Sequence, residues 1–443
     1  MALNVIHVND ISLIGSVATA SNTVSSAGAA VLLEDGLKIG NAAQEIAKIY
    51  PRKLNDTYWQ TPSAEPLSDA PNYVRHHADL IHYQLKSLHK KMADAKEIVL
   101  AVPSNMDAEQ LSIVLGVAQP LPFEFIGLID LAVVNASSTG HRGEILHFDL
   151  QRYQTVITLV ECTEHVARKE HLIIPNLGMQ TIQDKWAAII ANAFVEQSRF
   201  DPMHTAQSEQ TLYNKIPEWI STLSEQNALN VDLRNSESNY QAKLDRSIFV
   251  DANSAFMETL IARGKELSTS AQLYLGNTHL LAVQELSKQS GTINILSSAT
   301  TFDSISENQT TIVTRDTDLP LVTRLKNATT AEPRNNVAPI VTKQSQSISE
   351  PTHLLVDNVA TALPINGADM HLRVVDNHLV TTADPSDAIA TITHDSQQFS
   401  LLANDANIRL NNKTPSSTVA LEAGDIISAQ GGLSARLIMV SSS

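Results

Sequence analysis

Cysteine is nearly absent: Cys162 stands alone among 443 residues. One thiol closes no internal disulfide, and without a Cys-x-x-Cys pair there is no thiolate zinc site or dithiol redox centre. It lies in the apolar run 156–162, so it reads as a buried, inert strand residue. Positive charge is also short, with 31 Lys+Arg against 47 Asp+Glu and a formal net charge of −16. Such an excess repels phosphate backbones and anionic headgroups, which argues against nucleic acid as the main partner. Long hydrophobic runs are missing too. The longest, near 123–134, is broken by Glu124 and Asp130, far short of the roughly 20 residues of a membrane span. The opening Met1-Ala-Leu-Asn-Val-Ile-His shows no basic segment followed by a long apolar one, so no signal peptide or membrane insertion is expected and the location is read as cytoplasmic.

Hydrophobic residues make up 43% and charged residues 18%, too apolar for disorder and ample for a sizeable core. At about 150 residues per domain the length suggests two to three domains. Short β-branched runs at 4–8, 12–17 and 29–33 predict strands, and Glu34-Asp35-Gly36 predicts a hairpin turn before 37–39. A short helix over 41–49 stops before Pro51. Val74, Ala78, Ile81, Leu85, Leu88 and Met92 recur every three or four residues, one apolar face of a long helix. His76, His77, His82 and His89 flank it without the i, i+4 spacing of a helical metal site, and they read as solvated.

Residues 97–102 form a buried-type strand ended by Pro103, and Asp107 with Gln110 fits a capping box opening a helix to about Val117. A strand over 124–129, a short helix over 130–136, and a strand pair over 147–162 turning at 151–154 follow. Further on come helices over 182–197 and 209–226, the second interrupted at Pro217, then strands over 230–249. A helix over 252–264, a buried strand over 271–275 and a helix to about Lys288 complete this part. The halves of the first 325 residues share a strand-strand-helix-strand-helix order, hinting at duplicated α/β lobes. Residues 327–350 have linker composition, and 352–440 show short runs between turn signals such as Asn-Gly and Gly-Asp, the pattern of a β-sandwich.

Leu100-Ala-Val-Pro-Ser-Asn-Met-Asp-Ala-Glu-Gln-Leu111, Leu115-Gly116 and Phe125-Ile-Gly-Leu-Ile-Asp-Leu-Ala-Val133 resemble the actin-like and seventy-kilodalton heat-shock chaperone ATPases. Leu146-His-Phe-Asp149 through Thr155 stands where that superfamily has its second phosphate-binding hairpin. Lys243-Leu-Asp-Arg246-Ser-Ile-Phe249 is similar to an element of the second lobe, and Leu273-Tyr-Leu-Gly276-Asn-Thr to the adenosine-side glycines. The resemblance implies two ribonuclease-H-like lobes, 1–145 and 146–326, with 327–351 as linker. It makes Asp10, Asp149, Arg152, Thr155 and Gly276 the residues of the nucleotide cleft. No metal ligand is assigned.

The departures fall on the phosphate-binding residues. A hairpin that cradles phosphate needs bare backbone N–H groups, hence glycines. Asn9-Asp10-Ile11-Ser12 has none, Asp149 is followed by Leu-Gln-Arg-Tyr-Gln, and Gly276 by Asn277. Arg152 and Tyr153 would fill the triphosphate space; Arg152 as a phosphate clamp is the one compensating option. Asp149 reads as a strand-end carboxylate capping its turn.

The stretch Pro385-Ser386-Asp387-Ala-Ile389-Ala-Thr-Ile392, then Phe399-Ser-Leu, Leu410-Asn-Asn412 and Leu421-Glu-Ala-Gly424-Asp425, resembles a forkhead-associated β-sandwich over 352–443. Readers of phosphothreonine pair the phosphate with Arg beside that Ser; Asp387 stands there and Ile389 replaces the His, so phosphopeptide recognition is not expected and Ser386 reads as a turn hydroxyl. The resulting expectation is a catalytically degenerate ATPase fold that binds or assembles other proteins. No cofactor is expected, and ATP with magnesium is disfavoured. An ATP-binding, chaperone-like or filament-forming ATPase is the alternative. No Gly-x-Ser-x-Gly supports a hydrolase, and no glycine-containing loop with a catalytic Asp supports a sugar kinase.

Overall fold

The computed structural model describes residues 3–438 except 19–22, 68–70, 94, 235–237, 315–318, 328–351, 357–358, 364–368, 376–377, 383, 396–397, 406, 411–414, 416–418, 422–424 and 430–432. The chain divides into two compact units, Met1–Asn335 and Asn336–Ser443. Asn327, expected to open the linker, is buried, its N donating to the Glu164 carbonyl at 2.9 Å; the rest of the expected linker and the Asn411, Asn412 and Gly424 turn positions lie outside the described residues.

The first unit holds two six-stranded mixed sheets. In one, Val5–His7, Ser12–Ser16 and Thr23–Ala27 form an antiparallel meander. Val5–His7 then runs parallel to Glu97–Val102, and that strand parallel to Glu124–Asp130. In the other sheet, Gly143–Leu150, Gln154–Cys162 and His165–Pro175 form the meander, and Leu273–Gly276 and Asn294–Ile295 continue parallel from Gly143–Leu150. The late strands Leu321–Val322 and Arg324–Lys326 add one to each sheet, the first beside Glu124–Asp130 and the second beside His165–Pro175.

Ile98, Val99, Leu100, Ala101 and Val102 are all fully buried, as a parallel strand covered on both faces requires. Its cover on one side is the His77–Lys91 helix, whose expected face is buried from Val74 to Met92. The Asp107–Gln110 capping box is present, with Gln110 N donating to Asp107 Oδ1 at 2.8 Å, and opens the Ala108–Ala118 helix. The second sheet packs on Met179–Ser198, Ala206–Glu225 and Ser247–Leu267 through Phe148, Trp186, Phe194 and Phe249. A third cluster joins the sheets: Val5, Val99 and Ile129 from one, Ile145, Val160 and Val166 from the other, around the Leu131–Ser137 helix. That shared core fixes how the two sheets face each other.

Several expectations are corrected. The Ala206–Glu225 helix runs through Pro217, because Leu212, Ile216, Trp219, Ile220 and Leu223 bury one continuous stripe on both sides of it. Residues 247–249 are helical, Phe249 being drawn into the core as the first turn of Ser247–Leu267. His89 is buried, its Nε2 2.8 Å from the Ala95 carbonyl and its ring against Phe123. The 41–49 helix is regular only over Asn41–Gln44.

The second unit contains two five-stranded antiparallel sheets. Leu354, Ile427 and Leu437 from one and Leu372, Ile392 and Leu401 from the other share a single core. The molecule is therefore of mixed α/β class. Cys162 is buried, and burial with Glu161 alongside pushes its thiol up to about 12, as an inert residue requires. Among the described residues no helix is long and apolar enough to cross a membrane.

Candidate functional site

Two hairpin turns meet between the sheets. The turn at 9–11 follows Val5–His7, and Asn9 Oδ1 accepts from Ile11 N at 2.9 Å, a side chain standing in for a backbone turn. Gly28 N donates to the Ile11 carbonyl at 3.0 Å from the outside. The second turn, 151–153, closes with Gln151 N donating to Gln154 O at 2.9 Å. Met179 N and Gln180 N, the first amides of the Met179–Ser198 helix, donate to the Gln151 and Arg152 carbonyls at 2.9 and 2.8 Å. A helix N-terminus is a ready anion seat; here the turn itself occupies two of its amides.

The turns then bond to each other. Arg152 N donates to Asp10 Oδ1 at 2.6 Å. Asn9 Nδ2 reaches Asp149 Oδ1 at 3.1 Å and the Leu150 carbonyl at 3.0 Å. Asn277 Nδ2 makes the same two bonds at 2.8 and 2.9 Å. Gln151 Nε2 donates to Asp149 Oδ2 at 2.9 Å and to Asn105 Oδ1 at 3.1 Å. Tyr153 Oη donates to Asp56 Oδ2 at 2.8 Å, Gln60 Nε2 to Gln154 Oε1 at 3.0 Å, and the Arg152 guanidinium lies 3.8 Å from Asp56. Apart from the Asn277 bonds and the Gln151–Asp149 bond, these contacts join residues 149–154 to residues 9–105.

Asp10, Asp149 and Arg152 are thus brought together and buried. Thr155 is not part of this set: its hydroxyl is spent on the Leu177 carbonyl at 2.6 Å. Gly276 serves packing, since a Cβ there would stand 2.9 Å from both Ile293 and Leu280, and its neighbour Asn277 does the bonding. Sequence reasoning assigned no role to Asn9, Gln151, Gln154 or Asn277, although each stood in a quoted motif. The same holds for Asn105, whereas Asp56 and Gln60 carried no signal, because their partners lie 97 and 94 residues away along the chain.

Burial dominates the electrostatics. It pushes Asp10 up to about 7, opposed by the Arg152 amide and guanidinium, and Asp149 up to about 6, opposed by Gln151, Asn277 and Asn9. Burial pushes His7 down to about 3, helped by His279 and His147, and each of those two down to about 4.

The free space at the junction is small. The cavity beside Asp10, lined also by Trp59, Gln60, Asn105, Met106 and Gln151, measures about 10 Å³. That is room for one water, against roughly 300–1,000 Å³ for a small-molecule site. Three of the turn amides, Ile11 N, Gln151 N and Arg152 N, already have acceptors within the junction. Among the described residues no cluster of three or more His, Cys, Asp or Glu is arranged to hold a metal ion. Comparison with protein-family models and with curated proteins finds no match.

Proposed function

We propose that the chain is a catalytically degenerate member of the actin-like and heat-shock ATPase superfamily, with duplicated ribonuclease-H-like lobes, that works as a nucleotide-free binding or assembly scaffold for other proteins in the cytoplasm. One observation carries this: the two hairpins that would embrace a triphosphate are hydrogen-bonded to one another through Arg152 N and Asp10 and through Asn9 and Asp149. The like order of the two sheets, an antiparallel meander continued by parallel strands, supports the lobed ancestry. Fold alone never implies activity, so the weight rests on the site.

The second unit is read as a forkhead-associated-like module without phosphopeptide recognition. At its expected binding turn Asp384 Oδ1 accepts from Ser386 N at 3.0 Å, and the Ser386 hydroxyl also bonds Asp384, as a turn hydroxyl does. Asp387 puts a negative charge beside the place a dianion would take.

Binding to the native state must raise its melting temperature. Millimolar ATP with magnesium is expected to leave the melting temperature of the full chain unchanged. A rise of several degrees would contradict the scaffold function and favour an ATP-binding chaperone or filament former.

A further inference from the structure

The His77–Lys91 helix buries Ala78, Ile81, Leu85 and Leu88 on one face. His76, Asp79 and Tyr83, spaced three and four residues apart, share the opposite face. That face floors an open cavity of about 440 Å³. Tyr73 adds one wall, its carbonyl accepting from Tyr83 Oη at 3.5 Å. Val117 and Pro120, at the end of the Ala108–Ala118 helix, add another, with the Val117 carbonyl 2.8 Å from His82 Nδ1. The volume lies within the roughly 300–1,000 Å³ of ligand pockets.

Bonds already made fix what this groove offers. Arg75 donates from Nε and Nη2 to Asp79 at 3.1 and 2.9 Å, so the two charges are paired. Among the described residues Arg75 Nη1 has no acceptor. His76 Nδ1 accepts from Asp79 N at 3.2 Å, which leaves the proton of the neutral ring on Nε2. A carbonyl only accepts, so His82 Nδ1 carries its proton toward Val117 and Nε2 is an acceptor. The groove therefore presents two free donors, one free acceptor, two tyrosine rings and no net charge.

We propose that this groove docks an uncharged, proline-rich segment of a partner protein in the polyproline II conformation. Such a segment has no internal hydrogen bonds, so its carbonyls take outside donors, here Arg75 Nη1 and His76 Nε2. Proline brings no N–H, which suits a groove whose free acceptor is His82 Nε2 alone. Pyrrolidine rings pack on Tyr73 and Tyr83. From His76 to Tyr83 the floor runs about 10 Å at about 1.5 Å per residue, the span of about three polyproline residues. The amides of a helical floor are bonded internally, so it offers no edge to a β-strand, and a charged segment finds Arg75 and Asp79 already paired. The groove binds its peptide whether or not the junction admits nucleotide, so the peptide and ATP titrations fail separately.

The test is calorimetric titration of the full chain with acetyl-Ala-Pro-Pro-Ala-Pro-Pro-amide and with the analogue carrying glycine for every proline. The proline peptide is expected to saturate below millimolar concentration and the glycine analogue not to saturate. Tyr83→Ala, at a side chain 36% exposed, is expected to weaken binding at least about tenfold, as loss of an aromatic anchor does. Tyr50→Ala, 42% exposed and outside the groove, is expected to leave the affinity unchanged. Arg75→Met, which removes one donor, serves if Tyr83→Ala does not fold and is expected to weaken binding about fivefold. Four results would each overturn the proposal: no saturation by the proline peptide, equal binding of the glycine analogue, unchanged affinity in Tyr83→Ala, or tighter binding of acetyl-Ala-Glu-Glu-Ala-Glu-Glu-amide.

Discussion

Gly28→Ala is expected to be among the most damaging single substitutions in the chain. An added Cβ would stand 1.9 Å from the Asp10 carbonyl oxygen and 2.8 Å from its carbon. Both are backbone atoms, so no rotamer change relieves the clash. The 9–11 turn would have to move, which breaks the Gly28 N to Ile11 O bond and displaces Asp10 from Arg152 N. A cost above about 3 kcal/mol is expected, in the range reserved for overpacking and broken buried networks. It is read as a melting temperature lowered by roughly 6 °C or more, or as loss of soluble protein. Gly116 is the control. It lies in the Ala108–Ala118 helix with nothing within 4 Å of its added Cβ, so Gly116→Ala is expected to stabilise by about 0.5–1 kcal/mol. A Gly28→Ala protein melting with the wild type would show that the turn does not need this close approach.

The second large effect concerns Asp149. Its carboxylate accepts from Asn9, Asn277 and Gln151, all buried, and Asp149→Ala removes the shared acceptor. Leaving buried donors unpaired costs roughly 1–3 kcal/mol per group. Asn9 and Asn277 keep the Leu150 carbonyl and Gln151 keeps Asn105, so a total near 3 kcal/mol is expected instead of the full sum. The penalty depends on pH with a defined sign. Because burial holds Asp149 up to about 6, the native state pays for its charge above that pH, and the penalty of Asp149→Ala is therefore expected to shrink as pH rises through 6. Asp149→Asn keeps Oδ1 and is expected to cost less. Urea unfolding at pH 5 and pH 8 measures both; a penalty that grows with pH would mean that the carboxylate is not desolvated in the native protein.

Much of the fold was legible because the apolar periods are strong where burial is two-sided. The 97–102 strand, the 74–92 helical face and the Asp107 capping box stand where expected, as does the 151–154 turn. Thr23–Ala27 was missed because it is a polar strand whose edge is covered by side chains, such as Gln84 Nε2 donating to the Ser26 and Ala27 carbonyls, and not by apolar packing. His165–Pro175 was missed because Arg168-Lys169-Glu170-His171 breaks the alternation; Arg168 reaches inward to meet buried Asp130 at 2.9 Å and the Ser104 carbonyl at 3.1 Å. Between 294 and 326 the strands are two or three residues long, too short for any period to register.

The candidate site was legible as a subtraction. The missing glycines argued against phosphate cradles in these turns, and Arg152 and Tyr153 do stand at the junction. What replaces the phosphate contacts was not legible, because Asn9 with Asp149 and Tyr153 with Asp56 pair across 140 and 97 residues. Amide side chains in turns look alike in sequence whether they face water or each other.

Amide hydrogen exchange at Arg152, followed with and without millimolar magnesium nucleotide, probes the closed junction most directly. That amide should exchange as slowly as the central strand around Leu100 in the ligand-free chain and should not change when nucleotide is added. Rapid exchange that slows on adding nucleotide would mean that the turns stand apart until a triphosphate draws them together.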